Sequence, residues 1–211
     1  MLVNIHIAHS TSAFSSGPTQ NEKILILGDS TAYGTGASRQ EDTIAGRLAR
    51  DFPKSQVINL SKNGALIKDL KNQIKSIQGQ TFSMIIISCG GNDVWHLTRI
   101  QTILDDLKFV FSELEGNAPK GKIIFLLYNN IASAPLFPSL VQYFLKKHSA
   151  KVQKAIQTAA AVPHVRIIEL FVNDTYNPFL KNPEILFAKD GIHPSSRGHE
   201  LWYNRMWRQL V

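Results

Sequence analysis

The chain carries one cysteine, Cys89, among 211 residues, so no disulfide can form within it. That excludes a small scaffold stapled by bridges. No apolar run nears the roughly 18–20 residues that a bilayer-spanning helix needs. Zinc-finger spacing, a basic zipper and RNA-binding aromatic motifs are all missing. So is a nucleotide-binding loop: Gly34-Thr35-Gly36-Ala37 holds no lysine for a phosphate, and Arg39 stands where a dinucleotide fingerprint needs its third glycine. Acidic residues are few, 16 against 23 basic ones, leaving a formal charge of +7.

What remains is a globular composition, 44% hydrophobic and 18% charged, with enough length for one sizeable core and too little for two. We expect a single domain over 23–211, preceded by an N-terminal extension over 1–22. Residues 2–8 alternate weakly and 10–16 are small and polar. A secretory leader wants a positive start and a longer apolar stretch, so this segment reads as a short extension or a remnant leader. The lone thiol leaves the compartment open, and the cytoplasm is favoured over the periplasm or secretion. Lys68, Lys71 and Lys75, and then Lys146, Lys147, Lys151 and Lys154, fall at helical spacing and read as solvated faces. No nucleic-acid partner is expected. The charge excess does suggest weak contact with an anionic membrane surface.

Short apolar runs alternate with helical patterns. Strands are expected at 24–27, 57–60, 82–88, 123–128 and 165–170. Between them, Ile44, Leu48 and Phe52 recur every four residues, and Pro53 closes that helix. A second helix is expected over 66–77. Leu97, Ile100, Leu104, Leu107, Phe111 and Leu114 form one stripe of a third. A long helix over 139–161 should turn Leu140, Phe144, Val152 and Ile156 inward, and a last helix follows Pro194. Strands separated by helices imply parallel βαβ crossovers. The fold class is therefore α/β, a three-layer αβα sandwich around a five-stranded parallel sheet. Ligands in such sheets collect at the carboxyl ends of the strands.

Three segments at those ends carry chemistry. Gly28-Asp29-Ser30-Thr31 follows strand one, where a serine on a tight turn exposes its hydroxyl; the plain alternative is a loop whose Asp or Ser caps a helix. Gly90-Gly91-Asn92-Asp93 follows strand three, and the Asn92 amide can donate to a developing oxyanion; the alternative is a turn with Asp93 as a cap. Asp190-Gly191-Ile192-His193-Pro194 places an acid three residues before a histidine, able to fix its tautomer and leave the other ring nitrogen as a base. Alone, that spacing is common, and a capped loop with a solvent-facing histidine explains it equally. Cys89, after the apolar residues 84–87, reads as a packed, inert thiol.

Taken in order, these blocks resemble the SGNH (GDSL-type) hydrolase family, a likeness that runs from about Lys23 to Val211. The resemblance implies a serine esterase or lipase-type enzyme with Ser30 as nucleophile, His193 as general base and Asp190 as the acid orienting it. It implies an oxyanion hole made of the Ser30 and Gly64 backbone N–H groups and the Asn92 side chain. It also implies the flavodoxin-like sheet order 2-1-3-4-5. Thr31 departs from the family's common leucine, which bears on substrate shape. No metal or organic cofactor is called for. The expected substrate is a small or medium acyl ester, a lysophospholipid and a thioester included. A carbohydrate acetyl-esterase is the alternative, and a catalytically silent binding module lies further off. For the substrate pocket we single out Trp95, Leu136 and Phe137. The apolar loop over 131–138, bounded by prolines, forms either an acyl-binding wall or a packed connection. Activity is expected to fall below about pH 6–7, where an imidazole base takes up a proton.

Overall fold

The computed structural model describes residues 14–16, 22–119, 122–127, 134–170 and 177–210. Its sheet comprises β1 (Glu22–Gly28), β2 (Ser55–Asn59), β3 (Met84–Ser88), β4 (Lys122–Leu127) and β5 (Val165–Glu169), all paired in parallel in the order β2-β1-β3-β4-β5. Every neighbouring pair that is consecutive in the chain needs a crossover, and helices supply it. In chain order they are α1 (Ser30–Tyr33), α2 (Ile44–Asp51), α3 (Leu70–Lys75), α4 (Gly91–Trp95), α5 (Ile100–Glu115), α6 (Ser139–Ala159), α7 (Pro178–Lys181), α8 (Pro183–Leu186) and α9 (Ser196–Leu210).

The period of two along each strand divides the core into two layers. Leu25, Leu27, Ile85, Ile87, Ile123 and Phe125 face α3, α5 and α6. Ile24, Ile26, Ile86, Ile124 and Leu126 face the other way, onto Ile44 and Leu48 of α2 and Trp202, Tyr203 and Met206 of α9. Central strands buried on both faces need near-continuous apolar runs. This is why Ile24-Leu25-Ile26-Leu27 and Ile85-Ile86-Ile87 do not alternate. Each such side chain contributes roughly 1.5–3 kcal/mol when removed from water.

Several expected elements shift. The third strand starts at Met84; Phe82 is buried in the approach to it, with its N–H bonded to Asn117 O. The helix expected over 66–77 divides into a 3-10 turn, Ile67–Asp69, and α3. Leu97 lies before α5 with φ of +52° and is exposed, so the stripe begins at Ile100. Leu140 and Phe144 do not turn inward. The core side of α6 is Leu145, Ser149, Val152, Ala155 and Ile156, whereas Leu140 and Phe144, on the flank of that stripe in the first two turns, stay exposed. Tyr128 and residues 131–133 lie outside the described residues, as does most of the expected extension. Of that extension, Ser15 and Ser16 run along the free edge of β2: Ser16 N–H donates to Val57 O, while their hydroxyls accept from Asn59 and Val57 N–H.

Candidate active site

Strand β1 stops at Gly28, and the chain turns there under tight backbone control. Gln73 of α3 clamps Gly28 from the side, its Oε1 accepting the Gly28 N–H and its amide donating to Gly28 O, both at 2.8 Å. Asp29 N–H donates to Ser88 O, and its carboxylate accepts the Thr31 N–H at 3.0 Å, capping α1. Asp29 thus plays the capping part, and Ser30, the first residue of that helix, keeps its hydroxyl for something else. Burial pushes the Asp29 carboxyl up to about 7, against the Thr31 hydrogen bond and the nearby His193.

That hydroxyl meets the last block of the sequence. Ser30 Oγ lies 2.9 Å from His193 Nε2, and His193 Nδ1 lies 2.7 Å from Asp190 Oδ2. The other carboxylate oxygen, Oδ1, accepts the Ile192 and His193 N–H groups at 3.0 Å each. Burial raises the Asp190 pKa, but the ring and the two backbone donors outweigh it and hold it down at about 2. An anionic Asp190 can only accept, so Nδ1 carries the proton. Nε2 is then the acceptor for the Ser30 hydroxyl. A solvent-facing histidine on a capped loop is not what the structure contains.

Two residues that sequence reasoning passed over make this meeting sterically and electrostatically feasible. Gly36 has φ of +94°, and a Cβ there would overlap the Pro194 carbonyl and crowd His193 Cβ. Only glycine lets the loop after α1 pack this closely on the histidine loop. His199 of α9 is fully buried, with Nε2 3.2 Å from Thr35 O, and burial depresses its pKa to about 4. It therefore stays neutral beside the site. A signal for both His199 and Gln73 was present: each is a polar residue on an apolar helical stripe, Leu70-Gln73-Ile74 in α3 and His199-Trp202-Tyr203-Met206 in α9.

The three groups expected to face an oxyanion lie on loops that are tied to one another. Lys62 N–H donates to Gly28 O, and Thr35 Oγ1 donates to Asn63 Oδ1 at 2.6 Å, so the loop bearing Gly64 is fastened beside the Ser30 turn. Asn92, at the start of α4, donates one amide hydrogen to Ala65 O at 3.0 Å. Among the described residues the other has no acceptor, nor have the Ser30 and Gly64 N–H groups. Asp93 does not cap its own helix. Its carboxylate accepts the Ile67 N–H at 2.9 Å and holds the turn after the Gly64 loop; burial raises its pKa to about 6. Cys89 is fully buried and burial pushes its thiol well up, as an inert thiol requires. Asn92→Ala is expected to lower kcat about 10²–10³-fold with little change in KM; steady-state kinetics on a soluble ester checks this.

The expected pocket residues also come together. Trp95, three positions after Asn92, stacks on Phe137 with ring centroids 5.0 Å apart. Leu136 N–H donates to Gly191 O at 3.0 Å, placing this loop against the one that carries Asp190 and His193. Phe137 is buried in the core, Leu136 is half-buried and Trp95 is half-exposed. The described part of the loop is thus a packed connection at Phe137, with Leu136 and Trp95 left at the rim.

A family model described as GDSL-like lipase/acylhydrolase matches residues 26–201. No curated protein matches the chain in sequence. Among solved structures, the fold resembles a lipolytic protein of the G-D-S-L family from Veillonella parvula (TM-score 0.69, 17% identity, covering 89% of this chain and 97% of that one). It resembles an extracellular lipase from Streptomyces rimosus (0.67, 15%, 90% and 100%). An acetyl xylan esterase is similar as well (0.65, 19%, 90% and 100%).

Proposed function

This chain belongs to the GDSL-like lipase/acylhydrolase family, and we propose that it is a serine carboxylester hydrolase working through an acyl-enzyme on Ser30. The observation that carries the reading is the unbroken hydrogen-bond chain from Ser30 Oγ through His193 to Asp190. A serine hydroxyl is a weak nucleophile until a base takes its proton. His193 Nε2 takes that proton as Oγ bonds to the ester carbonyl carbon. The carbonyl oxygen then carries the negative charge, facing the Ser30 and Gly64 N–H groups and the Asn92 amide. Collapse breaks the bond to the leaving alcohol, whose oxygen receives the proton from His193. Water repeats the sequence on the acyl-enzyme: His193 takes a proton from it, the carboxylic acid departs and Ser30 regains its hydrogen. Asp190 stays ionised throughout, favouring the imidazolium at each step.

For the substrate we favour small to medium acyl esters, lysophospholipids and thioesters included, because the rim beside the Asp190–His193 loop is apolar, with Leu136 and the Trp95 ring partly uncovered. The fold shared with an acetyl xylan esterase favours a second reading, a carbohydrate acetyl-esterase. An acyl-length series with acetylated xylan alongside separates them. On the first reading, octanoyl esters outrun acetyl esters, and Leu136→Ala moves the preferred length. Rapid acetate release from the sugar with no turnover of octanoyl esters would reverse the choice.

A further inference from the structure

The solvent side of α6 is unusual for its composition. Leu140, Tyr143 and Phe144 are 70%, 57% and 64% exposed, and at 100° per residue they share one arc with Lys147, Lys151 and Lys154 further along. The Tyr143 and Phe144 rings touch, 5.6 Å apart. Helix α4, packed against α6, adds the half-exposed Trp95, and Leu97 beyond it projects with 62% exposure. Leu97 is also the sole non-glycine among the described residues with a positive φ, a conformation costly for a bulky side chain. Singly exposed apolar side chains need no explanation, but a cluster of this size on two adjoining helices does.

We propose that this face seats the molecule on an anionic lipid surface and presents the active-site rim to acyl esters held there. The inference deepens the ester-hydrolase reading above and rests on it for the substrate, though not for the docking. Charge selects the occupant. Helix α6 contains Lys146, Lys147, Lys151 and Lys154 and no acidic residue in its 21 positions. Apolar and aromatic side chains on the first turns followed by a lysine stripe match acyl chains and lipid phosphates respectively. The Lys147 ammonium already lies over the Tyr143 ring, 4.9 Å from its centroid, so charge and aromatic surface adjoin on this face. A second copy of this chain is the poorer fit, since a two-fold contact would bring two copies of the lysine stripe into one interface with no acidic residue on the helix to offset them. The position serves the chemistry: α6 starts directly after the loop whose Leu136 is bonded to Gly191. No helix among the described residues is long and apolar enough to cross a membrane, so the contact is made at the surface.

Full-length Ser30→Ala protein, which leaves the lipid intact on this reading, is sedimented with vesicles of phosphatidylcholine with and without phosphatidylglycerol. Binding is expected to the anionic vesicles and to weaken as salt is raised. Lys147→Glu with Lys151→Glu lowers it about tenfold or more, and Leu140→Ser with Phe144→Ser does the same. In the Ser30 background of the wild type, all four substitutions leave turnover of a soluble short-chain ester unchanged, which shows that the variants fold. Absence of binding to anionic vesicles overturns the proposal, and so does binding indifferent to both pairs of substitutions. A dimer in solution that the Leu140 and Phe144 substitutions split would overturn it too. Failure of wild type to hydrolyse any ester, with vesicle binding retained, would count against the hydrolase reading alone.

Discussion

Ser30→Ala is expected to abolish labelling by a fluorophosphonate probe and to cut kcat by about 10⁴–10⁶-fold, with His193→Ala falling as far. The two act as one unit, so the double variant should lose little more than either alone. That non-additivity is the sharper test. A side chain remote from the reacting atoms gives losses that add with those of Ser30, whereas a nucleophile and its base share a single proton transfer. Stability need not fall much with Ser30→Ala, because the backbone of the turn is held by Gln73, Ser88 and Asp29, and none of these bonds uses the Ser30 hydroxyl. Full probe labelling of Ser30→Ala would place the nucleophile elsewhere and end the proposed mechanism.

Asp190→Asn should lower kcat about 10⁴-fold while the fold persists. An asparagine amide facing Nδ1 stabilises the tautomer whose proton sits on Nε2, and that nitrogen can then no longer accept from Ser30. The same substitution has a separate effect on stability. The Asp190 carboxyl is at about 2 when folded against an ordinary 3.8, so its ionised form favours the native state by about 2 kcal/mol above pH 4. Because the folded pKa is the depressed one, that contribution is lost as pH falls from about 4 toward 2. Denaturant titrations should therefore show wild type more stable than Asp190→Asn at neutral pH, with the gap closing in acid. A variant of wild-type activity would remove Asp190 from the triad, whatever the stability data show.

Both predictions begin from residues that stand out in the amino-acid sequence alone. Gly28-Asp29-Ser30, Gly90-Gly91-Asn92 and Asp190 to His193 lie at the ends of apolar runs or just before the last helix, and their chemistry follows from residue type and position. The α/β class is equally legible, since uninterrupted Ile and Leu in β1 and β3 demand burial on both faces. Other expectations fail for a physical reason. Leu140 and Phe144 resemble core residues because periodicity reports only that a stripe exists, and not how far along the helix the rest of the molecule covers it. Leu97 extends the pattern of α5 by spacing alone, while its backbone lies outside the helix.

By itself, the sequence determined the strand runs, the candidate residue types and the three-residue spacing of Asp190 and His193, because all of these depend on neighbours within a few positions. Only the tertiary structure decided that Ser30 meets a histidine 163 residues away at 2.9 Å. It also decided that Gly36 must be glycine, that Gln73 grips Gly28 and that the lysine and aromatic face of α6 stays uncovered. Such contacts join parts of the chain that no local pattern relates. They are set by how helices pack across a sheet, where a gap of one methyl group or an unpaired amide determines which loops can touch.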